Sequence, residues 1–166
     1  MLPITICGNA PTDHVPDGEI WCMNNGAMQK PHVDLIVDIH TKDYLLRTGQ
    51  KKYIDWLASL SIPVYTREEI IPNAIPYPFE DVYKLTSKIN HNGKQLKLFT
   101  SSTPFVLALA ILQKRPKITI CGVELIQMQE FRESYLFWIG FAGGRKIELE
   151  LIGGNVMFDK QNYGEQ

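Results

Sequence analysis

Residues 100–124, TSSTPFVLALAILQKRPKITICGVE, set a helix and a strand back to back. Ser101 or Ser102 is placed to cap a helix that starts near Pro104 and runs to about Gln113, with proline at the first helical position, where a missing N–H costs nothing. Lys117–Cys121 follows as a short apolar strand and stops at Gly122. Strands that are apolar on consecutive residues expect cover on both faces, as in a parallel sheet, rather than one wet face.

The same alternation extends toward both ends of the chain. Ile4–Cys7 reads as a strand ended by Gly8-Asn9-Ala10-Pro11. Glu19–Met23 reads as a second, stopped at Asn24-Asn25-Gly26, and Leu35–Val37 as a third, closed by Asp38-Ile39-His40. Tyr53, Trp56, Leu57 and Leu60 recur at helical spacing. Ile62–Tyr65 is a short strand near an edge because of Pro63. Pro72, Pro76 and Pro78 make 71–79 mostly irregular loop. A helix over Asp81–Ile89, a turn at Asn92-Gly93, a helix over Glu130–Ala142 closed by Gly143-Gly144 and a last strand over Lys146–Leu151 complete the pattern. The expectation is a single-domain, doubly wound (Rossmann-like) α/β fold over residues 1–158. Its sheet is mostly parallel with helices on both faces, and a polar tail follows at 159–166.

Composition narrows the function. A hydrophobic share of 45% with 21% charged residues is globular rather than disordered. The net charge of −1, with Lys and Arg spread along the chain, offers no concentrated basic surface for a nucleic-acid polymer. Cys7, Cys22 and Cys121 form no CxxC pair and lie in apolar strands, which points to reduced, buried thiols and a cytoplasmic setting. Thr103–Leu112 is too short to span a membrane, and Met1 leads almost directly into a strand, leaving no room for a secretory segment.

In doubly wound folds, ligands bind outside the carboxyl ends of the strands. The residues there are therefore the candidates, each with a structural alternative. Gly8 allows close backbone approach and Asn9 offers a donor and an acceptor; the alternative is a turn that merely ends a strand. The motif is not a dinucleotide fingerprint, and no Walker phosphate loop occurs. Asn24 and Asn25 offer amides to a base or sugar, or else form an Asn-Gly turn. Asp38 and His40, two residues apart, point to one side if the backbone stays extended. They can then serve as orienter and base; the alternative is a polar loop in which Asp38 caps the next segment. Thr100, Ser101, Ser102 and Thr103 precede a helix whose first amides lack partners, a cradle for phosphate or carboxylate. Capping alone needs only one of these hydroxyls. Gly122 ends the strand after that helix, and Glu124 beyond it is a further candidate base. Tyr135, Phe137, Trp138 and Phe141 read as core.

Taken in order, the Gly-Asn loop, the asparagine after the second strand, Thr-Ser-Ser before a helix and Ile-Cys-Gly-Val-Glu-Leu resemble the bacterial sialyltransferases of the Campylobacter type. They also resemble the related 6-hydroxymethylpterin pyrophosphokinase-like proteins and small phage and prophage proteins. That resemblance, from Ile4 to about Leu151, implies nucleotide binding at Gly8, Asn9, Asn24 and Ser101 or Ser102. The sequence departs from the sialyltransferases where Ala10 and Ser102 replace glycines. No histidine follows His91, where those enzymes place their base.

The leading expectation is a transferase-like protein that binds a nucleotide or other phosphorylated ligand, by glycosyl or diphosphoryl transfer. Only the latter calls for Mg²⁺, which Asp38 and Glu124 would hold. A non-catalytic nucleotide-binding or sequestering module of phage type is the alternative. A protein-interaction domain is a third reading, in which the helix over Glu130–Ala142 supports a homo-oligomer.

Overall fold

The computed structural model of the protein describes residues 2–10, 18–91, 94–95, 98–123 and 129–153. β1 (Ile4–Cys7), β2 (Glu19–Met23), β3 (Leu35–Asp38), β4 (Val64–Thr66) and β5 (Ile75–Pro76) are its first five strands. Between them lie a 3₁₀ helix (Asn24–Gln29), α1 (Lys42–Arg47) and α2 (Lys51–Ala58). α3 (Phe79–Leu85), a short hairpin of β6 (Asn90–His91) and β7 (Lys94–Gln95), α4 (Ser102–Leu112), β8 (Lys117–Cys121), α5 (Gln129–Gly144) and β9 (Glu148–Ile152) follow. Seven strands form one sheet in the order β5-β4-β3-β2-β1-β8-β9, and every pairing in it is parallel. With helices on both faces, this is the doubly wound Rossmann-like α/β fold expected from the strands.

The central strands are apolar on successive residues because each face carries its own core. Ile4, Ile6, Trp21, Met23, Leu35 and Val37 face α3, α4 and α5. Cys7, Cys22, Ile36 and Val64 face Leu45 of α1 and Tyr53, Ile54 and Leu57 of α2. α4 is apolar on all sides and buries every residue from Thr103 to Ile111, as a helix with no polar stripe must. Trp138 and Ser134 of α5 both donate to the Leu98 carbonyl, at 2.7 and 2.6 Å. Tyr135 and Trp138 lie in the core and Phe137 and Phe141 pack against it, as read from the sequence.

Several element bounds differ from the sequence reading. α4 starts at Ser102, so Pro104 is its third residue, not its first. α3 spans Phe79–Leu85 rather than Asp81–Ile89, its first turn carrying Glu80 and Asp81 where the helix dipole favours acids. α5 runs through Gly143-Gly144, and β9 begins at Glu148. Ile75–Pro76 pairs with β4 as a two-residue edge strand, a place where proline's missing donor faces outward; β4 is thus next to the edge. Asn24-Asn25-Gly26 opens a 3₁₀ helix instead of a tight turn. The turn at Asn92-Gly93 and the tail lie outside the described residues.

Candidate functional site

Strand order fixes where a crevice opens. From β1 the chain first builds outward through β2, β3 and β4, then returns to place β8 on the other side of β1. The switch point lies between β1 and β8, with Gly8 and Gly122 at its carboxyl end. The two glycines are used on each other. Gly8 donates to the Cys121 carbonyl at 2.8 Å and Ala10 to the Gly122 carbonyl at 3.0 Å. A Cβ on Gly8 would run into the Gly122 carbonyl group and Val123 Cα. Gly122 itself takes φ +61°, where L side chains are strained. Both glycines are buried, so they bring two strands together and raise Asn9 beyond them.

Asn9 is exposed, and its amide lies over Gly26 so closely that a Cβ there would land on Asn9 Oδ1. One strand over, Asn24 takes the left-handed φ of 55°, which asparagine tolerates better than most residues. This conformation turns its side chain toward α4, where Asn24 Nδ2 donates to Ser102 Oγ at 2.9 Å. The Ser102 hydroxyl and Asn24 Oδ1 are 3.2 Å apart. Asn25 is exposed beside it.

None of the four hydroxyls of residues 100–103 caps the start of α4. Thr100 donates to the Glu130 carbonyl at 2.8 Å and ties the segment to the first turn of α5. Ser102 is paired with Asn24, and Thr103 points to Met23 Sδ at 3.4 Å. Ser101 is the N-cap residue, yet its side chain makes no capping bond, and its Oγ is buried with no partner. Among the described residues no acceptor meets the Ser102 or Thr103 amide. Pro104 has no amide to offer. The N-terminus of a long, buried helix is thus left with bare donors and a positive dipole end.

On the far side of β2, Asp38 closes β3 with its side chain fully buried, while His40 is 31% exposed. Asp38 Oδ1 accepts from the His40 backbone N–H at 2.9 Å and lies 2.8 Å from His40 Nδ1. The imidazole stacks on Tyr44 at 4.6 Å and an interplanar angle of 10°. Nδ1 faces a carboxylate, so it carries the proton and Nε2 is left as the acceptor. The sequence placed these two side chains on one side, and the structure brings them together. Glu124 lies outside the described residues.

Under the site runs a feature the sequence hid. Cys7 is in register with Cys22 on one side and with Cys121 on the other. Three thiols 15 and more positions apart in the chain form one row, all buried and without a disulfide. A hydrogen bond from Cys22 holds the Cys7 thiol below its ordinary value, and the same bond, with burial, pushes Cys22 up. Among the described residues no three His, Cys, Asp or Glu side chains converge on a metal-sized point. Nor is any helix long and apolar enough to cross a membrane.

No family model matches this sequence, and no curated protein matches it. One solved structure is similar, that of the sialyltransferase CstII from Campylobacter jejuni in complex with a substrate analogue, cytidine-5'-monophosphate. The TM-score is 0.58 at 13% identity, over 92% of this chain and 80% of that one. What the chain shares with that sialyltransferase is the fold.

Proposed function

We propose that the protein binds a nucleotide or similar phosphorylated ligand across the carboxyl ends of β1 and β2, with its phosphate on the first turn of α4, and acts in glycosyl transfer. The observation that carries this reading is the N-terminus of α4: four hydroxyls gather at it, on Thr100 and Ser101 before the helix and on Ser102 and Thr103 at its start, and none caps it. A helix start so supplied with side-chain acceptors, yet left open, suits an anion held by the Ser102 and Thr103 amides and the Ser101 hydroxyl. Asn9 and the Asn24–Ser102 pair flank that point and suit the sugar or base. The likeness to a sialyltransferase solved with a nucleotide monophosphate supports the same reading.

In such a reaction His40 Nε2 accepts the proton of the acceptor hydroxyl, with Asp38 fixing the ring through Nδ1. The open amides of α4 stabilise negative charge on the departing phosphate. Glu124, two positions after Gly122 in the sequence, is the other candidate base. Diphosphoryl transfer fits less well. Its Mg²⁺ needs accessible carboxylates that leave room for water, whereas Asp38 is fully buried and committed to His40. A second reading, a nucleotide-sequestering module without turnover, draws on the absence of any histidine after His91.

The test is a panel of nucleotides and nucleotide sugars, scored for binding by calorimetry and for product by mass spectrometry. Ser101→Ala/Ser102→Ala should weaken binding by about 10- to 100-fold, the value of one hydrogen bond to a charged group. Unchanged affinity in the double variant refutes the phosphate placement. Binding without product from any donor and acceptor pair favours the sequestering module.

A further inference from the structure

The Asp38 carboxylate is only half used by His40. Its Oδ1 takes both the backbone and the ring N–H of that residue, while Oδ2 is buried and has no hydrogen-bond partner. A buried carboxylate oxygen in that state is costly, by more than a neutral group would be. Tyr53, in the first turn of α2, presents the matching deficit. Its ring is 3% exposed in the core between sheet and helix, and its hydroxyl is likewise buried without a partner. Ile36, two residues before Asp38 on β3, packs in one cluster with Tyr53, so Asp38 points to the sheet face that α2 covers. The negative charge of Asp38 adds to burial in pushing the Tyr53 phenol upward. Asp38 is close enough to act on the Tyr53 hydroxyl, though no hydrogen bond joins the two in this conformation.

We infer that Tyr53 is a positioning residue, whose hydroxyl donates to Asp38 Oδ2 and thereby locks Oδ1 onto His40, so that the imidazole keeps its proton on Nδ1 and offers Nε2 at the mouth of the site. The reasoning is geometric. A carboxylate can rotate about its Cβ–Cγ bond, and a donor on one oxygen stops it. Tyr53 meets this need from below, Tyr44 holds the ring from the side by stacking, and the His40 amide holds Oδ1 from its own backbone. Partners that orient a histidine through its second nitrogen recur wherever the first does chemistry or binds a ligand. This inference rests on reading His40 as the working group of the site, and it concerns a different face from the α4 cradle.

The tautomer of His40 is read by long-range ¹H–¹⁵N NMR of the imidazole in the full-length protein. The wild type should show His40 protonated on Nδ1 with Nε2 bare. In Tyr53→Phe, with the ring kept and only the hydroxyl gone, the Nε2–H form should rise to the majority, as for a histidine free in water. A Tyr53→Phe protein with the wild-type His40 spectrum overturns the inference. Where Tyr53→Phe fails to fold, the ¹³Cζ shift of Tyr53 in Asp38→Asn serves instead. It moves if the hydroxyl donates to the carboxylate, and an unmoved shift refutes the contact. Nucleotide affinity is measured in parallel. A wild type that binds no nucleotide, with the tautomer shifted as expected in Tyr53→Phe, sinks the proposed ligand site and leaves the Tyr53 role standing; a wild type that binds, with an unshifted tautomer in Tyr53→Phe, does the opposite.

Discussion

Replacing Gly8 by alanine puts a methyl group where two strands already touch. The new Cβ would lie 2.8 Å from the Gly122 carbonyl carbon and 2.9 Å from Val123 Cα, and closer still to the Gly122 oxygen. These are backbone atoms of a central sheet and have no rotamer to yield, so β1 and β8 must part by several tenths of an ångström. That movement strains the bonds from Gly8 to Cys121 and from Ala10 to Gly122, now 2.8 and 3.0 Å. Two weakened hydrogen bonds at about 1 kcal/mol each, with about 1–3 kcal/mol of overpacking, give about 3–5 kcal/mol in all. A domain of ordinary stability loses a third or more of its margin on that scale. Urea unfolding should show the midpoint falling by roughly 1.5–2.5 M at a slope near 2 kcal/mol per molar. Gly26→Ala is the internal comparison. Its Cβ meets the far end of the Asn9 side chain, which can swing away, so stability should change by less than about 1 kcal/mol while ligand affinity falls. A Gly8→Ala protein within about 1 kcal/mol of wild type would refute the view that the two glycines exist to bring β1 and β8 together.

Asn24 combines a left-handed backbone with the bond to Ser102. Asn24→Gly should hold stability yet lose ligand affinity, whereas Asn24→Ala should lose about 1 kcal/mol as well; denaturation and calorimetry together separate the two effects. At the opposite end of the strands, Arg115 makes a paired contact with Glu19 at 2.6 and 2.8 Å and lies 5.0 Å from the Trp21 ring. Its side chain is only 12% exposed, so Arg115→Leu should cost about 2–3 kcal/mol by stranding Glu19. Adding Glu19→Gln should recover part of that loss in a double-mutant cycle. Lys117 of β8 holds the carboxyl of Glu150, on the edge strand β9, below its ordinary value of 4.5. A depressed carboxyl stabilises the fold above that unfolded value and stops doing so as pH falls through the lower folded one. Lys117→Ala should therefore flatten the acid limb of stability below about pH 4.5, as followed by thermal melts across pH.

The sheet could be read from the sequence because a strand covered on both faces must be apolar on consecutive residues, as Ile20–Met23 and Leu35–Val37 are. α1 could not be read, since its six residues bury only Leu45 and show no periodic face. Its start depends on Thr41, which accepts from the Tyr44 amide, and on Glu68, 26 positions away, which accepts from Lys42. Within the site, Asp38 and His40 were visible because extended backbone puts alternate residues on one side. Tyr53 was not, because on a helix of buried Tyr53, Ile54 and Leu57 it reads as one more core residue. The cysteine row was hidden for a different reason. Register between β8, β1 and β2 creates it, and register is not written in any one strand. At α4 the sequence offers more hydroxyls than a cap needs; that Asn24, Met23 and Glu130 engage three of them and leave Ser101 Oγ without a partner follows only from the tertiary fold.

Backbone amide NMR during titration with a nucleotide monophosphate bears on the ligand site itself. With the phosphate on the first turn of α4, the largest shifts should fall on the Ser102 and Thr103 amides, followed by the side-chain amides of Asn9 and Asn24. Shifts confined to other parts of the chain, or no shift with any phosphorylated ligand, would contradict it.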